Sequence, residues 1–450
     1  MKIKLRKNGL FSGSDLFQLV WPLILDLFLT FFVGMLDSIM VSSVNESAVS
    51  AISLVDQLMQ LVIMVFSAMA TGGAVIAGQY LGAQRERDAC RSAHQLVWLM
   101  FLTGIGICAL LLLFQNLILN VVFGQITEQV YGYSEKYLVI TAFSAPMLAV
   151  HQGGAAVFRT MGNSRNPMFI SIMMNIINFS GNALFIFGFG MDTDGAGIST
   201  LLSRTAAAVV ITIMLLDQRR TLHYEKTFRY RPDGMLIRKI LYVGIPNGLE
   251  NGMFQLGKIL LLSLVSTFGT SAITANAITQ NVAQLQLIPA FAVNMATTTV
   301  ISRCVGYGDM DQVRYYNRVL LAIMYSTALA LAWSIYFSMP FVLRMYHASE
   351  ATAALTMSMV NWHTIGAVTL WPLSFEIPQA LRAAGDVKFT MLTSIAIMWC
   401  VRIVGAYIMA YPLGMGALAP WAAMVVDFVF RTTIYQIRWR SGKWTDKRVI

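Results

Sequence analysis

The sequence predicts an all-α membrane protein, with twelve transmembrane helices in two pseudo-symmetric six-helix lobes. Three observations carry that expectation. Of 450 residues, 57% are hydrophobic and only 12% charged, against about 45–50% and about 25% in a soluble domain. Apolar runs of about 20 residues, enough to cross a bilayer, recur along the whole chain. The chain also repeats itself, at an interval of 224 residues.

The apolar windows fall at 15–43, 51–78, 93–118, 136–158, 167–190, 196–216, 238–267, 274–301, 318–343, 353–380, 389–411 and 414–436. Most exceed the bilayer minimum, which permits tilt. The opening MKIKLRK has the charge of a signal peptide's first region. No small-residue cleavage site follows, so the first window is expected to stay in the protein. With the N-terminus inside, all of the 32 basic residues but Lys136, Arg204, Lys258, Arg344 and Arg402 fall in cytoplasmic segments. One miscounted span would swap every later loop, so this bias supports the count and places both termini in the cytoplasm. It also accounts for the net charge of +10 without nucleic acid. Cys90, Cys108, Cys304 and Cys400 are scattered and read as free thiols.

The repeat is visible residue by residue. At 224 residues, NESAVSAISL (45–54) lies over GTSAITANAI (269–278), and Pro22 meets Pro246. At 223, FRTMGNSRNPM (158–168) lies over LRAAGDVKFTM (381–391), pairing Arg159 with Arg382 and Gly162 with Gly385. Six spans, a basic loop and six spans is the natural division: a lobe over 1–216, a linker over 217–238 and a lobe over 239–450. An even number of spans per half makes the repeat a parallel one, and carriers built so bind substrate near the repeat interface.

These segments, with YLGAQRERDA, GIPNGLENGMFQLGK and WAAMVVDFVFR, resemble the multidrug and toxic compound extrusion (MATE) family of cation-coupled antiporters. The likeness covers nearly the whole chain, and its force lies in the order and spacing of individually weak motifs. It implies export of hydrophobic or cationic small molecules from the cell membrane in exchange for H+ or Na+, with no other cofactor, by a protein expected to be monomeric. It also implies an ion site. Asp37 matches the family's first-helix aspartate, Asn178 and Asn182 its span-five polar pair, and Thr200 its span-six threonine; Asp37 would be a metal ligand only under Na+ coupling. Many proton-coupled relatives carry aspartate where this chain has Asn182, which leaves the coupling ion open.

The repeat sorts the two acids of WPLILDLFLTFFVGMLDSIMVSS. Asp26 follows Pro22 by four residues, as Glu250 follows Pro246, whereas Asp37 meets Leu261. An acid in one half only suits an ion site. Asp26 and Asp37 share a helix face, about 16 Å apart, and Asp26 and Glu250 are candidate substrate contacts. Asp427 and Arg431, four apart, can pair locally. Among intramembrane charges, Asp26, Asp37, Asp56, Glu250, Glu376 and Asp427 outnumber Arg204, Lys258 and Arg402, an excess that favours cations. The rivals are a lipid-linked oligosaccharide flippase of the same superfamily, which would want an arginine-rich cleft, a major facilitator carrier, and a membrane enzyme. No phosphate-binding loop, metal-ligand spacing or nucleophile–base pattern supports an enzyme.

Overall fold

The computed structural model describes residues 9–42, 45–124, 126–224, 231–346 and 348–450, with 35–39, 41 and 42 described in backbone alone. Among the described residues all regular structure is helical. The helices are α1 Gly13–Ser42, α2 Glu46–Gly82, α3 Glu86–Leu113, α4 Glu128–Thr160, α5 Arg165–Gly188 and α6 Thr193–Leu215. The second half supplies α7 Gly234–Ser266, α8 Thr270–Tyr307, α9 Met310–Met345, α10 in two pieces (Glu350–Thr369 and Trp371–Ala384), α11 Val387–Ala410 and α12 Ala419–Arg440. Each of the twelve apolar windows is therefore centred on one of these helices. Several helices outrun their windows because polar ends continue the same hydrogen-bonded ladder.

Ten of the described helices are long and apolar enough to cross a membrane. The exceptions have local causes. α7 carries Asn247, Glu250, Asn251, Gln255 and Lys258 along its middle, and the first piece of α10 carries Asn361, His363 and several threonines, while its second piece is short. Helix starts follow capping chemistry. Asn45 accepts from the Ala48 N–H at 2.7 Å, Asp309 from Asp311 and Gln312, and Ser349 from Thr352.

The repeated glycines have a backbone reason. Gly162 (φ +86°) and Gly385 (φ +105°) each follow the end of a helix in the left-handed region, where a Cβ is costly. At Gly385 the added carbon would also meet the Lys447 carbonyl oxygen. FRTMGNS and LRAAGDV are thus one device used twice: an arginine in a last helical turn, then a left-handed stop.

The chain forms two compact units. One is Ser14–Gly248; the other is Leu249–Ile450 together with the described N-terminal residues up to Gly13. In the first, the described part of the basic segment after α6 is packed. Leu222 and Tyr224 are buried, Tyr224 N–H donates to the Leu215 carbonyl, and Gln95 Nε2 donates to the Arg231 carbonyl. In the second, Leu261, Leu264, Met398, Ile403, Ala406 and Ala423 form a core where α7, α11 and α12 meet. The N-terminal residues belong to this unit through Phe11, whose backbone exchanges hydrogen bonds with the Tyr316 hydroxyl at 2.8 Å.

Beside that core lies the expected local ion pair. Arg431 Nε meets Asp427 at 3.0 Å, both side chains being buried, and the guanidinium also donates to the Ser394 hydroxyl and carbonyl. Asp427 is shared with Arg402 at 3.9 Å. Arg402 and Lys258 both approach the Phe254 ring, at 5.6 and 5.5 Å, a cation–π arrangement that sequence spacing could not reveal. Asp427→Asn strands two buried guanidiniums, a loss of about 3–5 kcal/mol. The purified variant in detergent is expected to show a clearly lower apparent melting midpoint in a thermal unfolding scan; an unchanged midpoint would refute the role given to Asp427.

Candidate functional site

Three of the four expected ion-site residues come together in the first unit. Asn178 and Asn182 lie one turn apart on α5, and Thr200 faces them from α6. Asn182 Nδ2 donates to Asn178 Oδ1 at 3.5 Å, and Asn178 Nδ2 donates to Thr200 Oγ1 at 3.3 Å. The Thr200 hydroxyl then donates to the Ala196 carbonyl at 3.0 Å. Gly181 permits this approach, since a Cβ there would sit 2.5 Å from Ser199 Oγ. Directly after Asn182 the helix widens into a π segment, Ala183–Gly188, a local geometry frequent at functional sites. The fourth expected residue, Asp37, lies on α1, but its side chain is outside the described residues.

The cluster continues through groups to which the sequence reading gave no role. Tyr137 on α4 is within hydrogen-bonding reach of Thr200, and its hydroxyl donates to Asp56 Oδ1 on α2 at 3.2 Å. Arg204, one turn along α6 from Thr200, donates to Ser144 Oγ at 2.7 Å and lies in electrostatic reach of Asp56 and Tyr137. Polar groups from four helices therefore run from Asn182 to Asp56. The signal available in the sequence was Asp56 itself, a carboxylate at membrane depth, where charge is rare and usually functional.

The two acids expected to meet substrate are differently occupied. Glu250 on α7 is bound by Arg382 at 2.7 Å, with both side chains about nine-tenths buried. Gln379 accepts from the same guanidinium and donates to Thr298. Asp26 on α1 is half-buried; it faces Ser171 and the Arg159 guanidinium, and its Oδ1 has no hydrogen-bond partner. Arg159 and Arg382 are repeat partners that charge counting had placed in cytoplasmic segments. Both reach back to an acid of their own half, because each sits in the last turn of its helix with its side chain directed inward. The excess of acids over bases counted from sequence is correspondingly reduced. Glu376 is fully buried and accepts from Thr297. His363, also buried, donates from Nδ1 to Gln286 Oε1 at 2.8 Å, the arrangement of a satisfied core histidine. Among the described residues no three His, Cys, Asp or Glu side chains gather into a metal site.

An all-helical, multi-span chain of two matching halves, with ionisable groups held inside each, is the architecture of a secondary transporter. The MatE family model matches it twice, over residues 22–184 and 246–408, and the chain belongs to that family of multidrug and toxic compound extrusion transporters. The matches begin at Pro22 and Pro246, the pair that sets the repeat register. The protein is accordingly a multi-pass membrane transporter of small molecules and not an enzyme. It is 27% identical over 447 residues to the uncharacterized transporter YisQ of Bacillus subtilis, covering 96% of this chain and 95% of that one. It is 25% identical over 444 residues to the probable multidrug resistance protein NorM of Thermotoga maritima, covering 97% and 94%. Among solved structures, a MATE protein in a bent conformation superposes with a TM-score of 0.88 at 18% identity, over 96% of each chain. A mutant of the Vibrio cholerae MATE transporter VcmN gives 0.87 at 18% identity, over 96% of this chain and 98% of that one. These structures establish the fold.

Gly181→Val places a branched side chain against Ser199 and forces α5 from α6. Misplacement of about 1 Å can cost about a hundredfold in rate. We expect a monodisperse protein with transport reduced by at least about tenfold, measured as dye efflux from cells at matched expression. Undiminished efflux would show that the Asn178–Thr200 contact is dispensable.

Proposed function

We propose that the protein is a secondary active antiporter of the cell membrane, with both termini cytoplasmic, exporting hydrophobic or cationic small molecules in exchange for H+ or Na+. The observation that carries this reading is the hydrogen-bonded run Asn182–Asn178–Thr200, continued by Tyr137 to a carboxylate. Asn178 donates from α5 to Thr200 on α6, and Tyr137 donates from α4 to Asp56 on α2. A carboxylate and amide oxygens can take up a proton or a desolvated Na+, and Asp37 is the acid that family resemblance puts at this site. Ion entry there neutralises charge, biases the conformational equilibrium and releases substrate outward. It can do so only if the ion binds the two conformations unequally. In this mechanism the lobes over 1–216 and 239–450, joined by 217–238, rock against each other, and the monomer suffices without further cofactor.

Glu250 is a weaker substrate contact on this reading than its sequence position implied, because Arg382 already neutralises it. The rival flippase would want an arginine-rich cleft, whereas Arg382 and Arg431 are themselves neutralised by Glu250 and Asp427. Purified protein in liposomes discriminates. Under separately imposed H+ and Na+ gradients, dye should move against one of them and not in their absence. Asp37→Asn should abolish gradient-driven movement while leaving expression normal. Undiminished transport by that variant would remove the coupling role, and movement of a lipid-linked oligosaccharide without any gradient would favour the flippase.

A further inference from the structure

α2 presents an unusual surface. Ser50, Ser53, Asp56, Gln57 and Gln60 are all exposed, at the three- and four-residue steps that put side chains on one helix face. A lipid-facing surface of this protein looks different. On α3 the exposed residues include Leu102, Ile105, Leu110 and Leu113, and on α9 they include Leu329, Trp333, Phe337 and Phe341. A carboxylate on hydrocarbon is costly, and such residues instead face a bundle interior or a water-filled cavity. The α2 face is therefore wet. The second helix of the other half repeats the pattern: Asn281 and Gln284, the repeat partners of Gln57 and Gln60, are exposed on α8. Gln280 stands where Asp56 stands, so the charge belongs to one half only.

Asp56 is also held ready. Tyr137 fixes Oδ1 from behind at 3.2 Å. Among the described residues no basic group comes within ion-pair distance of it, because Arg204, the nearest cation in electrostatic reach, is engaged with Ser144. Glu250, by contrast, is closed off by Arg382. We propose that Asp56 is the specificity-determining acid for substrate: it takes the positive charge of the transported molecule, while the Gln57 and Gln60 amides read N–H donors beside that charge. The transport arm of this inference rests on the antiport reading; the binding arm does not.

Ethidium, a cation bearing aromatic amines, and tetraphenylphosphonium, a cation with no N–H, separate the two contributions. Both are titrated against purified protein in detergent without any gradient, and then used as dyes in liposomes. Asp56→Asn is expected to weaken binding of both cations by about tenfold or more, and Asp56→Glu to recover affinity to within about threefold. The pair Gln57→Leu and Gln60→Leu is expected to weaken ethidium and spare tetraphenylphosphonium. Glu46→Gln, which removes an exposed acid from the start of the same helix, should change neither. If Asp56→Asn does not yield monodisperse protein, Asp56→Glu and the glutamine pair carry the test. Binding by Asp56→Asn within about threefold of the unaltered protein overturns the inference, as does an equal loss in Glu46→Gln, which would mark a general surface-charge effect. If the unaltered protein binds both dyes through Asp56 but moves neither under any gradient, the antiport reading fails and this one stands.

Discussion

Everything in this molecule answers to one constraint: a charge inside a bilayer must find a partner within the protein or a path to water. A lone ionised group in hydrocarbon is costly enough that each acid and arginine has a specific solution here. Asp427 is shared between Arg431 and Arg402. Glu250 is closed by Arg382. Glu376 lies fully buried against the Thr297 hydroxyl. Thr297 also donates to the Val293 carbonyl, and one hydroxyl has one proton to give. Glu376 is thus answered by a shared hydroxyl, with no basic group within ion-pair distance among the described residues.

The same constraint makes the two halves chemically unequal although their backbones repeat. Pro22 and Pro246, Gly162 and Gly385, and the arginines at 159 and 382 hold equivalent places. The acid four residues after each proline does not end in an equivalent state. In the second half it is an ion pair at 2.7 Å, whereas Asp26 keeps an oxygen with no hydrogen-bond partner. Asp56 has an amide, Gln280, as its counterpart. Asp26 and Asp56, the carboxylates without a close ion pair in the first half, thus have no equally free counterparts in the second, where Glu250 and Asp427 are closed by arginines and Glu376 by a hydroxyl.

How much of this the sequence announced follows from which forces are local. Helix positions were legible because apolar length is a local property, and the repeat was legible because the glycine stops and prolines act through backbone geometry. Asn178, Asn182 and Thr200 were placed by resemblance, and helix packing brings them together. Partners such as Arg382 for Glu250 or Tyr137 for Asp56 depend on the rotation of one helix against another, which no single-helix pattern encodes. The inward reach of Arg159 and Arg382 was hidden for a related reason. A residue in a last helical turn can reach water or the interior, and hydropathy cannot distinguish the two. The polar face of α2 is legible in principle, since Ser53, Asp56, Gln57 and Gln60 recur at helical spacing, a pattern that a tally of acids does not contain.

The placement of these groups bears on how exchange could be coupled. Two ligands oppose each other only if each alters the other's binding free energy, and the effect is reciprocal. A shared hydrogen-bonding group is the shortest physical route to such reciprocity, and Tyr137 is one. Its hydroxyl has a single proton, donated to Asp56, while Thr200, the acceptor of Asn178, stands within reach of the same oxygen. On the antiport reading, a cation seated on Asp56 withdraws negative charge from that bond, freeing the Tyr137 proton to turn toward Thr200. Ion entry near Asn178 and Thr200 pushes the proton the other way. Neither event requires a large displacement, since a hydroxyl need only rotate.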